Sequence, residues 1–557
     1  MGSRLGLILP LSAAFLSGPV LAQTQQGPIS LTPPPLARDA APPPLAPSAA
    51  PSAAPSAAPA RSAVTRAPLA APSAAPKAAA PRPLTSQTDA KKPTARGPGP
   101  ETMRSGAVKP PATTGVPRTL IEALATTYST QPALQAGRAR LRATDENVPA
   151  ALAGWRPQVQ LSGSGGYGGG ASQTYNRGTF LKTPTDRLIG TATAQVTQNL
   201  YTGGRTQANI NRSKNQVMAE RANLILQEQT SFTAVVNAYV GVIQRTQELA
   251  LNRNNETVLT KQLQATNDRF RVGEITRTDV AQAEAALAGA RAQRETSEGT
   301  LETARGVFQQ IVGVLPPADL VPPQPLALPV KTETEAIAMA SSNNPQVVAA
   351  LFTDAAAKDA VDVAFAQLMP QLSVQGQMFN QQNSAGFGTQ NTGYQVVAQL
   401  TVPLYQGGSE YAGVRQARQQ QQFTVRDLED KRRTAVQNAV QAWETLASAR
   451  AAAQSTRAQI RANEIALEGV EREAIVGSRT TLDVLNAQQQ LLNSRTSLVQ
   501  NLAQLVNASY AVAAAVGRLT ARDMHLPVPL YDETAYYNAV RDKWVGLGDY
   551  ATNQPGR

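Results

Sequence analysis

Two kinds of hydrophobic spacing alternate along this chain of 557 residues. Leu372 and Val374 alternate with Gln371, Ser373 and Gln375, and Val396, Ala398, Leu400, Val402 and Leu404 alternate with Gln395, Gln399 and Thr401. The same period of two is weaker at Val159 and Leu161, and at Ala192, Ala194, Val196 and Leu200 opposite Thr193, Gln195, Thr197 and Asn199. One apolar and one polar face over about ten residues is the pattern of a tilted strand that crosses a bilayer in a barrel. These runs predict strands over 157–167, 189–201, 371–379 and 394–405. Gly-, Asn- and Gln-rich loops, Gly168 to Leu188 and Asn380 to Gly393, join the partners and are expected to face outside the cell. The spacing then changes. Residues 205–271 and 409–475, 67 each, contain no Pro and almost no Gly, and Ala, Gln, Arg, Glu and Leu dominate. Each predicts a single helix of ~100 Å, a length that needs neighbours along its course. Ala-rich return helices are expected over 275–313 and 480–517, with the chain reversing at Gly273 and Gly477.

The two sets of elements are copies. Glu122-Ala-Leu-Ala, Pro132 and Trp155-Arg156-Pro157-Gln158 recur 213 residues later as Glu335-Ala-Ile-Ala, Pro345 and Leu368-Met369-Pro370-Gln371. At an offset of 204, AQVTQNLYTGG (Ala194 to Gly204) matches AQLTVPLYQGG (Ala398 to Gly408), and VGEITRTDV (Val272 to Val280) matches VGSRTTLDV (Val476 to Val484). Tyr239 likewise matches Trp443, and Gly313 matches Gly517. The change of offset is a loop-length difference between Gly163 and Thr191, where insertions cost least. One duplication therefore organises the chain into repeat 1 (118–330), repeat 2 (331–517) and a C-terminal segment (518–557), each repeat opening with a helix.

Composition adds what precedes the repeats. Arg4, an apolar run from Leu5 to Leu16 and Val20-Leu21-Ala22 form a secretory signal peptide over 1–22. No later stretch has ~18 uninterrupted apolar residues, so any membrane crossing falls to strands. With no Cys there is no disulfide framework, no thiol chemistry and no Cys-linked lipid. The formal charge of +12 suggests nucleic acid until it is located: residues 23–117 hold ten Lys/Arg against three Asp/Glu, and the rest is close to balanced. That segment is Pro/Ala-rich, with Pro-Ser-Ala-Ala at Pro47, Pro51 and Pro55, and holds 22 of 40 prolines. It is expected to be a disordered periplasmic arm, either a solvated spacer or one whose basic residues engage peptidoglycan. Export argues against a nucleic-acid partner.

Two strands per repeat make four per chain, too few to close a barrel with a lumen. Three chains supply twelve, an even number in the range of outer-membrane barrels. At this point the chain resembles the TolC family of outer-membrane efflux proteins over about Thr119 to Leu547. The resemblance rests on the paired LYTGG and LYQGG strand ends, the equal long helices, the VGEITRTDV and VGSRTTLDVLNA tips, and a C-terminal YNAVRDKWVGL (Tyr537 to Leu547) like that of secretion-type members. It implies an α+β membrane protein: a homotrimer with a 12-stranded outer-membrane β-barrel continuous with a long periplasmic α-helical barrel. An equatorial belt falls at Val314 to Thr334 and Arg518 to Arg557. The implied function is an exit duct in outer-membrane lipid for type I protein secretion or small-molecule efflux, with most of the chain in the periplasm. An inner-membrane transporter (ABC or proton-driven) and a periplasmic adaptor are the implied partners. The adaptor is expected to dock on Val272, Gly273, Glu274, Val476, Gly477 and Ser478.

The resemblance also implies a gate at the periplasmic tip. Arg479 is expected to pair with Asp279 and Thr278 of a neighbouring hairpin, with Asp483 forming an acidic ring. The chain departs from the family's best-known members at Asn486, where they carry a second acid, and at Ala474, where they carry a Tyr. Half the carboxylates hold cations less tightly, and a latch without the Tyr hydroxyl opens more easily. The plainer reading of Asp279, Asp483 and Arg479 is helix capping. Trp155, Tyr239 and Trp443 read as packing aromatics, and His525, the single His, as a loop residue. No metal-ligand cluster, cofactor motif, phosphate-binding loop or acid-base-nucleophile set is present, so neither cofactor nor enzyme activity is expected. The rival from another class is a non-conducting coiled-coil structural protein or adhesin bridging envelope layers.

Overall fold

The computed structural model describes residues 116–548, apart from 185, 385 and 386. The signal peptide, all but the last two residues of the arm, and the final nine residues of the C-terminal segment lie outside the described residues.

Each repeat opens with helices broken at a proline. In repeat 1, α1 (Leu120–Thr130), α2 (Pro132–Asp145) and α3 (Asn147–Leu152) replace the one helix expected, and in repeat 2, α6 (Glu333–Asn343) is followed by α7 (Pro345–Phe365). The residue before each proline is extended, Gln131 at ψ 124° and Asn344 at ψ 128°, because the pyrrolidine ring crowds the helical conformation there. Proline then serves as the first residue of the next helix, where no N–H is needed. α1 is held at its start by a capping box, with Glu122 N–H donating to Thr119 Oγ1 (3.3 Å) and Thr119 N–H donating back to Glu122 (3.4 Å).

The strands follow: β1 (Gln158–Gly168) and β4 (Arg187–Tyr201) in repeat 1, β5 (Gln371–Gln382) and β6 (Gln390–Thr401) in repeat 2. They form one antiparallel sheet in the order β1-β4-β5-β6, in which β4 of the first repeat pairs with β5 of the second. The first predicted loop is itself a hairpin, β2 (Ala171–Asn176) and β3 (Thr179–Pro184), turning at Arg177 and Gly178, both at positive φ. At the other end β6 stops four residues short of Tyr405. Pro403 lacks a donor, and among the described residues β6 has no partner on its outer edge.

The two long helices, α4 (Arg205–Arg271) and α8 (Ser409–Ile475), have 67 residues each, and return as α5 (Arg277–Val312) and α9 (Thr481–Ala515). The strand-to-helix corners are Gly203-Gly204 and Gly407-Gly408, all at positive φ. A Cβ on Gly203 would lie 2.4 Å from Met369 Cβ, so the corner also needs glycine for the close approach of repeat 2. α10 (Ala535–Val540) lies in the C-terminal segment.

The largest apolar cluster sits where α1, α4, α5, α9 and the C-terminal segment meet, around the fully buried Phe232, Tyr239 and Phe308. Tyr239 Oη lies 2.6 Å from the Arg118 carbonyl and 2.9 Å from that of Val321. Trp443, its counterpart, packs at the edge of a second cluster formed by Val330, Ala336, Leu446 and Val512, among others, whereas Trp155 is 40% exposed. Below these clusters each hairpin carries a polar pair at equivalent positions, buried in the first and half-buried in the second: Asn252 donates to Ser297 at 2.6 Å, and Asn501 to Thr456 at 2.9 Å. Donor and acceptor have exchanged helices between the copies. Such pairs hold two long helices in one register, since a slip leaves a buried amide unpartnered.

Candidate functional site

The tips of the two hairpins are built alike. In the first, Gly273 N–H donates to the Phe270 carbonyl and Glu274 N–H to that of Arg269, both at 3.0 Å, with Gly273 at φ 79°. In the second, Gly477 N–H donates to Ala474 at 3.3 Å and Ser478 N–H to Glu473 at 3.0 Å, with Gly477 at φ 81°. This pair of bonds closes a helix end on a left-handed residue, the role for which glycine is suited. A capping box then starts each return helix. Thr276 N–H donates to Asp279 Oδ2 at 3.0 Å and its hydroxyl at 2.7 Å; Thr480 does the same to Asp483 at 3.0 and 2.8 Å. The Thr276 hydroxyl holds the Asp279 carboxyl below its usual range, and the Thr480 backbone N–H does so for Asp483. Both carboxylates are thus charged and pinned within one chain as caps.

Arg479 donates to Glu473 of its own hairpin at 2.8 Å. Thr278 is exposed, and Asn486 lies one turn beyond Asp483 on the same face of α9, also exposed. Gln282, the counterpart of Asn486, is half-buried. The structure adds two residues that the sequence reading missed. Arg269 donates to Glu274 at 2.6 Å. Its counterpart 204 residues later is Glu473, so each tip carries an ion pair across its turn, with polarity reversed between the two: Arg269–Glu274 against Glu473–Arg479. Aligning the repeats upstream of the VG dipeptide, and not only from it, exposes this exchange. Around each pair the tips are apolar: Val272, Ile475 and Val476 are each 78% exposed.

A further inequality lies on the order of 18 Å up the second hairpin, at twelve residues before its end. There Asn463 donates to Ser494 at 2.6 Å. The matching layer of the first hairpin is Leu259 with Ala290, which joins Leu287 and Leu485 in a small apolar cluster. The first hairpin is therefore zipped by apolar packing that includes a residue of α9, and the second by an internal amide pair.

A family model described as outer membrane efflux protein matches residues 124–314 and again 336–518, one match per repeat. The chain belongs to the outer membrane efflux protein family. It is 37% identical over 438 residues to the outer membrane efflux protein BepC of Brucella suis, covering 77% of this chain and 92% of that one. It is 28% identical over 289 residues to the alkaline protease secretion protein AprF of Pseudomonas aeruginosa, covering 49% of this chain and 58% of that one. The outer membrane protein VceC of Vibrio cholerae has the same fold, with a TM-score of 0.61 at 20% identity over 72% of this chain and 96% of the solved one. Members of this efflux family are channel and transport proteins of the outer membrane. Among the described residues no helix is long and apolar enough to cross a membrane, and no group of three or more metal-ligating side chains converges.

Proposed function

We propose that three copies of the chain close into one passive duct through the outer membrane, for secreted protein or small molecules, gated at the periplasmic hairpin tips and without catalytic activity. The observation that carries this reading is an unfinished repetition. Within the chain, β4 pairs with β5 and α4 packs on α7, contacts that run from repeat 1 to repeat 2. The equivalent surfaces of repeat 2, the outer edge of β6 and the flank of α8, have no third repeat to meet, and β1 is the other free edge. A head-to-tail contact that rotates each unit equally closes into a ring, and an unpaired edge in lipid is too costly to leave.

In the closed ring each hairpin stands beside one of opposite tip polarity. Arg479 then exchanges Glu473 for Asp279 and Thr278 of its neighbour, while Asp483 and Asn486 of three chains form the constriction. An adaptor covers the apolar tips around Val272 and Val476, and an inner-membrane transporter supplies energy. Purified protein reconstituted in planar bilayers is expected to give stepwise conductance, raised by Arg479→Ala and with weakened cation preference in Asp483→Ala. Absence of conductance from an SDS-resistant assembly would favour the coiled-coil envelope protein instead.

A further inference from the structure

The register of the sheet places one glutamine from every strand in a single row. Gln160 stands opposite Gln195, Gln195 opposite Gln377, and Gln377 opposite Gln395. The row lies on the face opposite Val159, Val196 and Val396, which are 75%, 43% and 72% exposed. In a barrel the apolar face meets lipid, so the glutamines line the lumen. Gln395 Nε2 donates sideways to Gln377 Oε1 at 2.7 Å, and Gln195 Nε2 donates along its own strand to Thr197 Oγ1 at 3.2 Å. Two levels outward on the same face, the Ser164 and Thr191 hydroxyls are 2.6 Å apart. The four strands contain no Asp, Glu or Lys, and their single Arg, Arg187, stands at the outer end of β4 with its guanidinium donating to the Ser384 carbonyl. Eight residues separate Arg187 from Gln195, ~26 Å along a strand and about three Debye lengths at physiological salt.

We infer that the inner wall of the barrel is a charge-free, largely amide and hydroxyl surface, with four glutamines per chain and twelve per three-chain ring in this one row, that passes hydrated polypeptide without regard to its charge. The inference rests on the proposed duct and assigns its cargo class. A ring of like charges holds oppositely charged groups and repels like ones. An extended chain, whose acidic and basic stretches follow one another, is retarded by either sign. Amides and hydroxyls exchange hydrogen bonds with water and with passing backbone and present no net field. Charge selection is thereby left to the helical tunnel and its tip.

The absence of cysteine allows a direct test. Gln195→Cys, Gln377→Cys and Val196→Cys proteins in outer-membrane vesicles are treated with membrane-impermeant methanethiosulfonates, one cationic and one anionic, with Gln160→Cys as a third luminal variant. The glutamine positions are expected to react with both reagents, in a rate ratio within about threefold of that for a free thiol, and Val196→Cys with neither. Adding Gln377→Glu to Gln195→Cys is expected to shift the ratio toward the cation by about fivefold or more, the effect of one nearby charge. A ratio displaced about tenfold without any added charge overturns the inference but leaves the duct standing, since the thiols are still reached from water. Labelling of Val196→Cys with protection of all three glutamine positions overturns the face assignment and the duct with it.

Discussion

The duplication makes the contact between chains predictable residue by residue. Within each repeat the paired strands keep one register: Gln158 faces Thr197, and their counterparts Gln371 and Thr401 face each other. The offsets of 213 and 204 residues therefore map one repeat onto the other at the level of single hydrogen-bonded pairs. Applied to the contact between repeats, where Gln195 faces Gln377 and Val196 faces Gly376, they place Gln399 opposite Ser164 of the partner subunit and Leu400 opposite Gly163 of the partner subunit. The faces agree, with Gln399 and Ser164 both on the polar side and Leu400 and Gly163 both on the apolar side.

In the chain without cysteine, the double variant Gln399→Cys/Ser164→Cys is expected to form a disulfide between neighbours. Directly opposed residues have Cα atoms ~4.5–5.5 Å apart, inside the range a disulfide spans. Gln399→Cys/Ser162→Cys is displaced by two residues along the strand, ~6.8 Å, which puts its Cα atoms on the order of 8 Å apart and out of reach. Copper-phenanthroline oxidation in membranes followed by boiled, non-reducing SDS gels reads the result. Covalent dimer and trimer with no longer ladder are expected from the first pair and monomer from the second. Linkage of Gln399 to Ser162 in preference to Ser164 would refute the register, and bands beyond three chains would refute closure by three.

Three further outcomes follow from the interior. Burial pushes the Tyr239 hydroxyl up to about 12, so it is a hydrogen-bond donor at every physiological pH; Tyr239→Phe leaves the Arg118 and Val321 carbonyls without it and is expected to cost ~1–2 kcal/mol, read as a lower midpoint of thermal unfolding. Gly203→Ala is expected to prevent assembly, because its Cβ would meet both Met369 Cβ and the Ala366 carbonyl. Gly204→Ala, equally left-handed at φ 87° but in open space, is expected to cost only ~1–2 kcal/mol of backbone strain, and equal damage from the two would discount the close approach. Desolvation raises Asp145 and Glu228 to about 7, Asp145 with no hydrogen-bond partner and Glu228 against the Ala521 N–H. Their ordinary value is near ~4, so the folded state holds protons that the unfolded state releases between ~4 and ~7. The stability that these two groups contribute is fullest below ~4 and is lost as pH rises through ~7; Asp145→Asn is expected to raise the unfolding midpoint at pH 8 more than at pH 5, and the reverse order would refute the assignment.

The elements that were legible in the sequence are those whose cause is local. The bounds of α4 and α8 follow from glycine pairs at one end and a VG dipeptide at the other, with no proline between. The strands were legible through their alternation, but their ends were not: β6 stops where Pro403 and a missing neighbour leave nothing to bond to. The composition of the β2–β3 hairpin predicts a loop, because Gly, Asn and Gln mark turns, whereas cross-strand pairing, including Tyr175 against Phe180 with ring centroids 5.0 Å apart, is a non-local property. At the tips, Asp279 and Asp483 were identified with both of their readings, gate and cap. Arg269 and Glu473 were missed because each sits in ordinary helical sequence and acquires meaning only from the residue it faces across the turn.

By itself the sequence determined the duplication, the class of the long helices and of the four sheet strands, the crossing by strands and the places where the chain reverses, since periodicity, proline and glycine act on neighbouring residues. Tertiary structure decided which copy meets which: that β4 pairs with β5 and leaves β6 and β1 open, that the two tips bear reversed ion pairs, and that one glutamine from each strand falls in one row. The strand order and the glutamine row depend on register between segments about 20 to 200 residues apart, whereas each tip ion pair closes over five or six residues and is decided by the turn that folds them together. Register is set by the packing of the whole sheet and hairpin, and no local spacing encodes it.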